Sequence, residues 1–162
     1  DPTTCVNCIH YLGVILKELA VKEDRSSMAA KLEAIGITLK EPNFEQYLDD
    51  AFDQIYQFGR RDHTIVRTLI GVLTEIISAV PDLRRVDTVV KEIIEMELDF
   101  LTDEGRESSF ALAEHRNYVR KSLIRFYTVA GERFETFGNA QGSAELRKRA
   151  AELESSIESP KE

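Results

Sequence analysis

Residues Thr64 to Val80, TIVRTLIGVLTEIISAV, are apolar on nearly every face, and only Arg67 and Glu75 carry charge before Pro81 ends the run. A helix that is hydrophobic all round has to be enclosed. The stretch falls short of the roughly 20 clean apolar residues that a membrane span needs, so its cover must come from other helices of the same chain. It is therefore expected at the centre of a bundle.

The rest of the sequence supplies that cover. Asp1-Pro2 reads as an N-cap followed by Pro at the first helical position, and Cys5, Cys8, Ile9, Leu12, Ile15, Leu16 and Leu19 continue as one helical stripe. Ser26 or Ser27 caps a short second helix through Ile35, closed by Gly36, with Ile37 to Lys40 briefly extended. Asn43 opens the clearest helix, with Gln46 placed for a capping box. Its inner stripe is Phe44, Tyr47, Leu48, Ala51, Phe52, Ile55 and Phe58, and Gly59 is its stop. Asp62 caps the central helix. Asp82 starts a helix carrying Val86, Val89, Val90, Ile93, Ile94 and Leu101, ended by the turn Thr102 to Gly105. A long helix is expected from Ser108 to Phe137, a loop from Gly138 to Gly142, and a last helix from Ser143 with Leu146, Ala150, Leu153 and Ile157 on a narrow seam. That seam suits docking on the bundle or pairing in a homo-oligomer. The fold class is all-α, a helical bundle of six or seven helices with little or no sheet. Residues 1–158 form a single helical domain, and residues 159–162 a frayed C-terminal tail.

Charge narrows the partners. Acids outnumber bases by 12 to 8 in residues 1–80 and by 17 to 13 in residues 81–162. Neither half carries the basic footprint that a phosphate backbone requires, so no nucleic acid is expected. The chain opens without Met and shows no signal peptide, which is read as a processed or excised piece of a longer protein.

Among possible sites, Cys5, Cys8 and His10 come first. Both cysteines lie on the apolar stripe, where free Cys behaves as a small hydrophobe. The alternative is a metal- or thiol-dependent site at Cys5, Cys8 and His10, although a zinc site wants a second ligand pair. No cofactor is expected. His63 and His115 read as cap or core histidines. Glu45, Asp49, Asp53 and Tyr56 make an acidic row on the outer face of their helix, read as solvated. Arg116, Arg120, Lys121 and Arg125 make a basic row expected to pair with Glu92, Glu95 and Asp99. No glycine-rich phosphate loop, serine elbow or catalytic carboxylate pair stands out. Packing does not account for Asp53, Gln54, Arg60 and Asp62, nor for Asp1, Thr3, Thr4 and Asn7 at the entry of the chain. These two groups are expected to form one interaction face. A small-molecule sensor pocket between helices is a further option.

Two stretches, DPTTCVNCIHYLGVIL and FEQYLDDAFDQIYQFGRRDHTIVRTLIGVL, resemble a bacterial family of predicted membrane proteins, domain of unknown function 2254. The positions that carry the resemblance are Asp1, Pro2, Thr4, Asn7, Leu12 and Gly13, then Ala51, Phe52, Asp53, Gln54, Ile55 and Gly59. Cys5 stands where many relatives carry a small residue. The resemblance implies membrane-spanning helices upstream of Asp1, and a soluble C-terminal domain on the cytoplasmic side of the bacterial inner membrane. It brings no activity with it. The expected function is an interaction or regulatory domain whose partner is the membrane-spanning part of its own parent protein.

Overall fold

The structure, a computed structural model, describes residues 1–22, 31–38, 42–103 and 112–158. Six helices have both ends in the described residues, α1 Pro2–Val21, α2 Phe44–Gly59, α3 His63–Ala79, α4 Leu83–Asp103, α5 Ala113–Thr136 and α6 Ala140–Ser155, and residues 31–33, ahead of the Gly36 stop, are helical as well. No strand occurs among the described residues. The all-α bundle read from periodicity is what the chain forms.

Helix starts follow the capping chemistry. The Asp1 carboxylate accepts from the Thr3 N–H (3.2 Å) and the Thr4 hydroxyl (2.8 Å). Asn43 and Gln46 exchange both bonds of a capping box, each 2.9 Å long. Asp62 accepts from the backbone N–H of Thr64 (2.8 Å) and Ile65 (3.3 Å). Two stops use glycine in the left-handed region, Gly36 and Gly138, each at φ +78°. At Gly138 the bonds Asn139 N–H to Phe134 C=O (2.8 Å) and Gly138 N–H to Glu135 C=O (2.9 Å) tie off α5. The proposed caps Ser26 and Ser27, Leu39 and Lys40, Ser108, and residues 159–162 lie outside the described residues, as do Glu104 and Gly105 of the expected turn. Thr102 and Asp103 of that turn are still helical, and the long helix starts at Ala113 after an extended Leu112.

Helix α3 occupies the centre, as its apolar circumference requires. Ile65, Val66, Leu69, Ile70, Val72, Leu73, Thr74, Ile76 and Ile77 are all buried, with α1 packed on one side and α5 on another. Helix α6 docks along α5, with Leu146, Ala150 and Leu153 inside the core. At the α4, α5 and α6 junction the fully buried Tyr127 hydroxyl donates to the Glu97 carboxylate, which also accepts from Arg149 (3.2 Å). Buried Arg85 donates to the Ala20 carbonyl (2.7 Å), closing the last turn of α1.

Several expectations need correction. The last helix begins at Ala140, not Ser143, because Asn139 caps it by accepting from the Gly142 N–H (2.9 Å). Gly142 is not a loop glycine. A Cβ there would lie 2.3 Å from Phe134 Cδ1, so its bareness lets α6 approach α5. Gly59 ends α2 without a left-handed φ, for a Cβ would lie 2.5 Å from Ile65 Cγ2. Phe58, placed on the inner stripe of α2, is 90 % exposed, and Cys8, Ile15 and Leu101 also face outward. In each case the apolar stripe is wider than the surface available to cover it. Arg116 and Arg120 do not pair with Glu92, Glu95 or Asp99 but with Glu158, at 2.7 and 3.0 Å.

Candidate functional site

The first turn of α1 lies against the end of α2 and the start of α3. A cleft of about 460 Å3 opens there, lined by Asp1, Pro2, Cys5, Gln54, Ile55, Phe58, Gly59, Asp62 and Ile65. Its walls are apolar, from Pro2, Cys5, Ile55, Phe58 and Ile65, and Asp1, Gln54 and Asp62 supply polar atoms at the rim. The close seating of Gly59 on Ile65 lets α2 pass directly into α3 and so fixes the corner of the cleft.

This geometry brings together part of the expected face. Asp1, Gln54 and Asp62 meet at one cleft although 53 and 61 positions separate the first from the other two. Thr4 is attached to it through its hydrogen bond to Asp1. Thr3 and Asn7 are exposed on α1 outside the lining. Asp53 accepts from Gln57 (3.0 Å) and turns to the other side of α2. Arg60 donates to Asp99 (3.4 Å) and links α2 to α4.

Cys5 is half-buried and packs against the core, whereas Cys8 and His10 are exposed. At 100° per residue, His10 lies about 200° round the helix from Cys8. The three side chains therefore do not converge, and no metal-holding group of three His, Cys, Asp or Glu forms among the described residues. Cys5 serves as a wall of the cleft.

A second concavity, about 440 Å3, runs between α2 and α4. Glu45, Asp49 and Asp53 line it from α2, Glu92 and Glu95 from α4, and Leu48, Phe52, Leu73 and Met96 form its floor. Tyr56 sits at one end and donates to Asp99 (3.2 Å). Burial, then the charges of Asp49, Glu95, Glu45 and Asp53, push the Glu92 carboxyl up to about 7. Burial followed by the same crowding raises Asp49. The acidic row is thus not merely a solvated face, since α4 returns two more carboxylates toward it. Helical spacing showed the row on α2 but held no sign of the facing acids.

Other features escaped the sequence. The His63 and His115 rings stack at 3.7 Å with planes 12° apart, joining the first turns of α3 and α5. Burial, then His115, lowers the His63 pKa. Helix α1 is also long and apolar enough, by length and composition, to cross a membrane, with a mean hydropathy of 1.3. Here Ile9, Gly13, Leu16 and Ala20 are buried, while Tyr11, Val14 and Ile15 remain exposed.

Residues 1–75, from α1 into α3, match the family described as predicted membrane protein (DUF2254). No curated protein and no solved structure matches the chain. The matched segment contains every residue that lines the α1/α2 cleft.

Proposed function

We propose that this chain, whose residues 1–75 match the DUF2254 family, is a non-catalytic interaction or regulatory domain of a membrane protein, on the cytoplasmic side of a bacterial inner membrane. In this reading the cleft between α1 and the end of α2 receives the membrane-spanning part of the same parent protein. The observation that carries it is the composition of the cleft. An aromatic ring left 90 % exposed, Phe58, stands beside an apolar hollow with a polar rim. Binding surfaces share that anatomy, a large aromatic anchor next to a pocket inside a rim that keeps its hydrogen bonds. The absence of catalytic motifs from the sequence and the family description support the same view.

The test is to make Phe58→Ala and Gln54→Ala in the isolated domain and in the full-length parent. Both side chains are exposed, so each isolated variant is expected to melt within about 0.5 kcal/mol of the parent. Full-length Phe58→Ala is expected to lose assembly with its membrane-embedded part, read by crosslinking from a cysteine at the cleft rim. Unchanged crosslinking and activity in full length would show that the cleft is ordinary surface.

A further inference from the structure

Helix α1 is nearly as apolar along its length as α3, yet four of its 20 residues are buried, against nine of 17 in α3. The bundle covers one side of it, through Ile9, Gly13, Leu16 and Ala20. At 100° per residue, Tyr11 points almost directly away from that stripe, with Cys8, Val14 and Ile15 within about 60° of it. Tyr11 is 75 %, Val14 65 % and Ile15 55 % exposed, and Cys8 is exposed as well. Residues 2–17 contain no carboxylate in a chain of net charge −8, and residues 2–22 carry Lys17 and Lys22 against Glu18 alone. A solvated helix of this chain looks different, for α2 turns Glu45, Asp49, Asp50 and Asp53 outward.

A contiguous apolar face left in water marks a contact surface, and its chemistry says what it meets. Close helix pairing brings small residues to the contact, but the glycine and alanine of α1, Gly13 and Ala20, are already turned into the bundle. A protein partner anchors its side chains in hollows, and Cys8, Tyr11, Val14 and Ile15 line neither of the two concavities. Lipid asks for apolar area of any contour, with aromatic and basic groups at headgroup depth. Tyr11 supplies the aromatic ring. Lys17 and Lys22, both exposed, supply the bases, and the lack of carboxylates spares the face the repulsion of an anionic leaflet. Helix α1 also has the length and apolarity of a membrane helix, and it lies inside the segment matched to predicted membrane proteins.

We infer that α1 lies along the surface of an anionic bilayer, with Cys8, Tyr11, Val14 and Ile15 against the upper acyl chains and Lys17 and Lys22 among the phosphates. The helix stays in the bundle to do so. Its inner stripe keeps its place in the core while the opposite face meets lipid. The inference shares the membrane setting of the proposed function but uses no residue that lines the α1/α2 cleft. Crosslinking from the cleft can therefore fail without touching it.

The experiment is flotation of the whole chain with vesicles of phosphatidylethanolamine and phosphatidylglycerol. The chain contains no Trp, so Tyr11→Trp places a single reporter on the face. Its emission should shift to the blue on adding vesicles, and lipids brominated on their upper acyl carbons should quench it. Val14→Gln with Ile15→Gln should weaken partitioning by about tenfold or more, since binding scales with buried apolar area. Lys17→Gln with Lys22→Gln should weaken it on these vesicles but not on phosphatidylcholine alone. Leu98→Gln, which removes an exposed apolar side chain from α4, should leave it unchanged. Circular dichroism identifies a double variant that fails to fold, and Ile15→Gln then carries the comparison alone. A parent chain that does not float, an unshifted Trp emission, or an equal loss from Leu98→Gln would overturn the proposal. Binding that salt abolishes and the Gln pair leaves intact would do so too, by making the contact purely electrostatic. A concentration-dependent dimer lost in the Val14, Ile15 variant, without vesicle binding, would give the face to a second copy instead.

Discussion

Replacing Gly13 with Ala tests the packing of α1 on α3 at its tightest point. A Cβ at Gly13 would lie 2.4 Å from Val72 Cγ1 and 3.4 Å from Val72 Cβ and Cγ2. Carbon atoms rest about 3.5–4.0 Å apart, so the overlap is about 1 Å. Val72 is β-branched and in a helix holds essentially one χ1 rotamer, which leaves little room to swing aside. The helices must instead separate along a contact that includes buried Ile9, Leu16 and Ala20. Overpacking of this kind costs about 1–3 kcal/mol, and the helix preference of Ala over Gly returns about 1 kcal/mol. With the overlap at the severe end, Gly13→Ala should destabilise by about 1–2 kcal/mol, lowering Tm by roughly 3–6 °C in a chain of this size. The assay is urea unfolding of Gly13→Ala, Val72→Ala and the double variant. Val72→Ala removes the obstructing methyl groups, so adding Gly13→Ala to it should be neutral or favourable, with a coupling of about 1 kcal/mol or more. Gly13→Ala melting at or above the parent, or costing as much in the Val72→Ala background, would refute the reasoning.

Tyr127→Phe should destabilise by about 1–3 kcal/mol in urea unfolding, because it removes a donor from the Glu97 carboxylate in a buried junction. Glu92→Gln should raise Tm by a few degrees at about pH 8 and leave it unchanged at about pH 4. The Glu92 pKa rises from 4.5 to about 7 on folding, so native protein keeps a proton that unfolded chain has released. That contribution is whole below 4.5 and gone above about 7. His63, lowered from 6.5, acts oppositely, losing stability as pH falls through 6.5, but it is common to both proteins and drops out of their difference.

Local chemistry was legible in the sequence where a few neighbouring residues settle the outcome. Asn43 with Gln46, Asp62 before the central helix and Gly36 at a helix end all behave as their local chemistry dictates. The central helix was legible because its circumference leaves no face for water. What the sequence withheld depends on which distant element arrives. Phe58 and Ile15 belong to apolar stripes, but periodicity does not say where a neighbouring helix stops covering them. Arg116 and Arg120 showed their sign and not their partner, because Glu158 reaches them only through the fold-back of α6. Gly59 does end its helix, but without a left-handed φ, and Gly142 looked like a loop residue; each is bare to admit a side chain from another helix. At the candidate cleft, unexplained polar residues pointed to Asp1, Gln54 and Asp62, and Phe58 was missed because it was counted as core.

The central position of α3 has a consequence for how the chain is made. Its last residue, Ala79, is synthesised well before Thr136, the last residue of the α5 that covers it. At about 5–20 residues per second, that gap is roughly 3–11 s. Throughout it, the most apolar segment described lies against α1, α2 and whatever part of α4 has emerged, without the cover of α5. Any chaperone or bilayer that takes up bare aliphatic surface competes during those seconds with residues not yet translated.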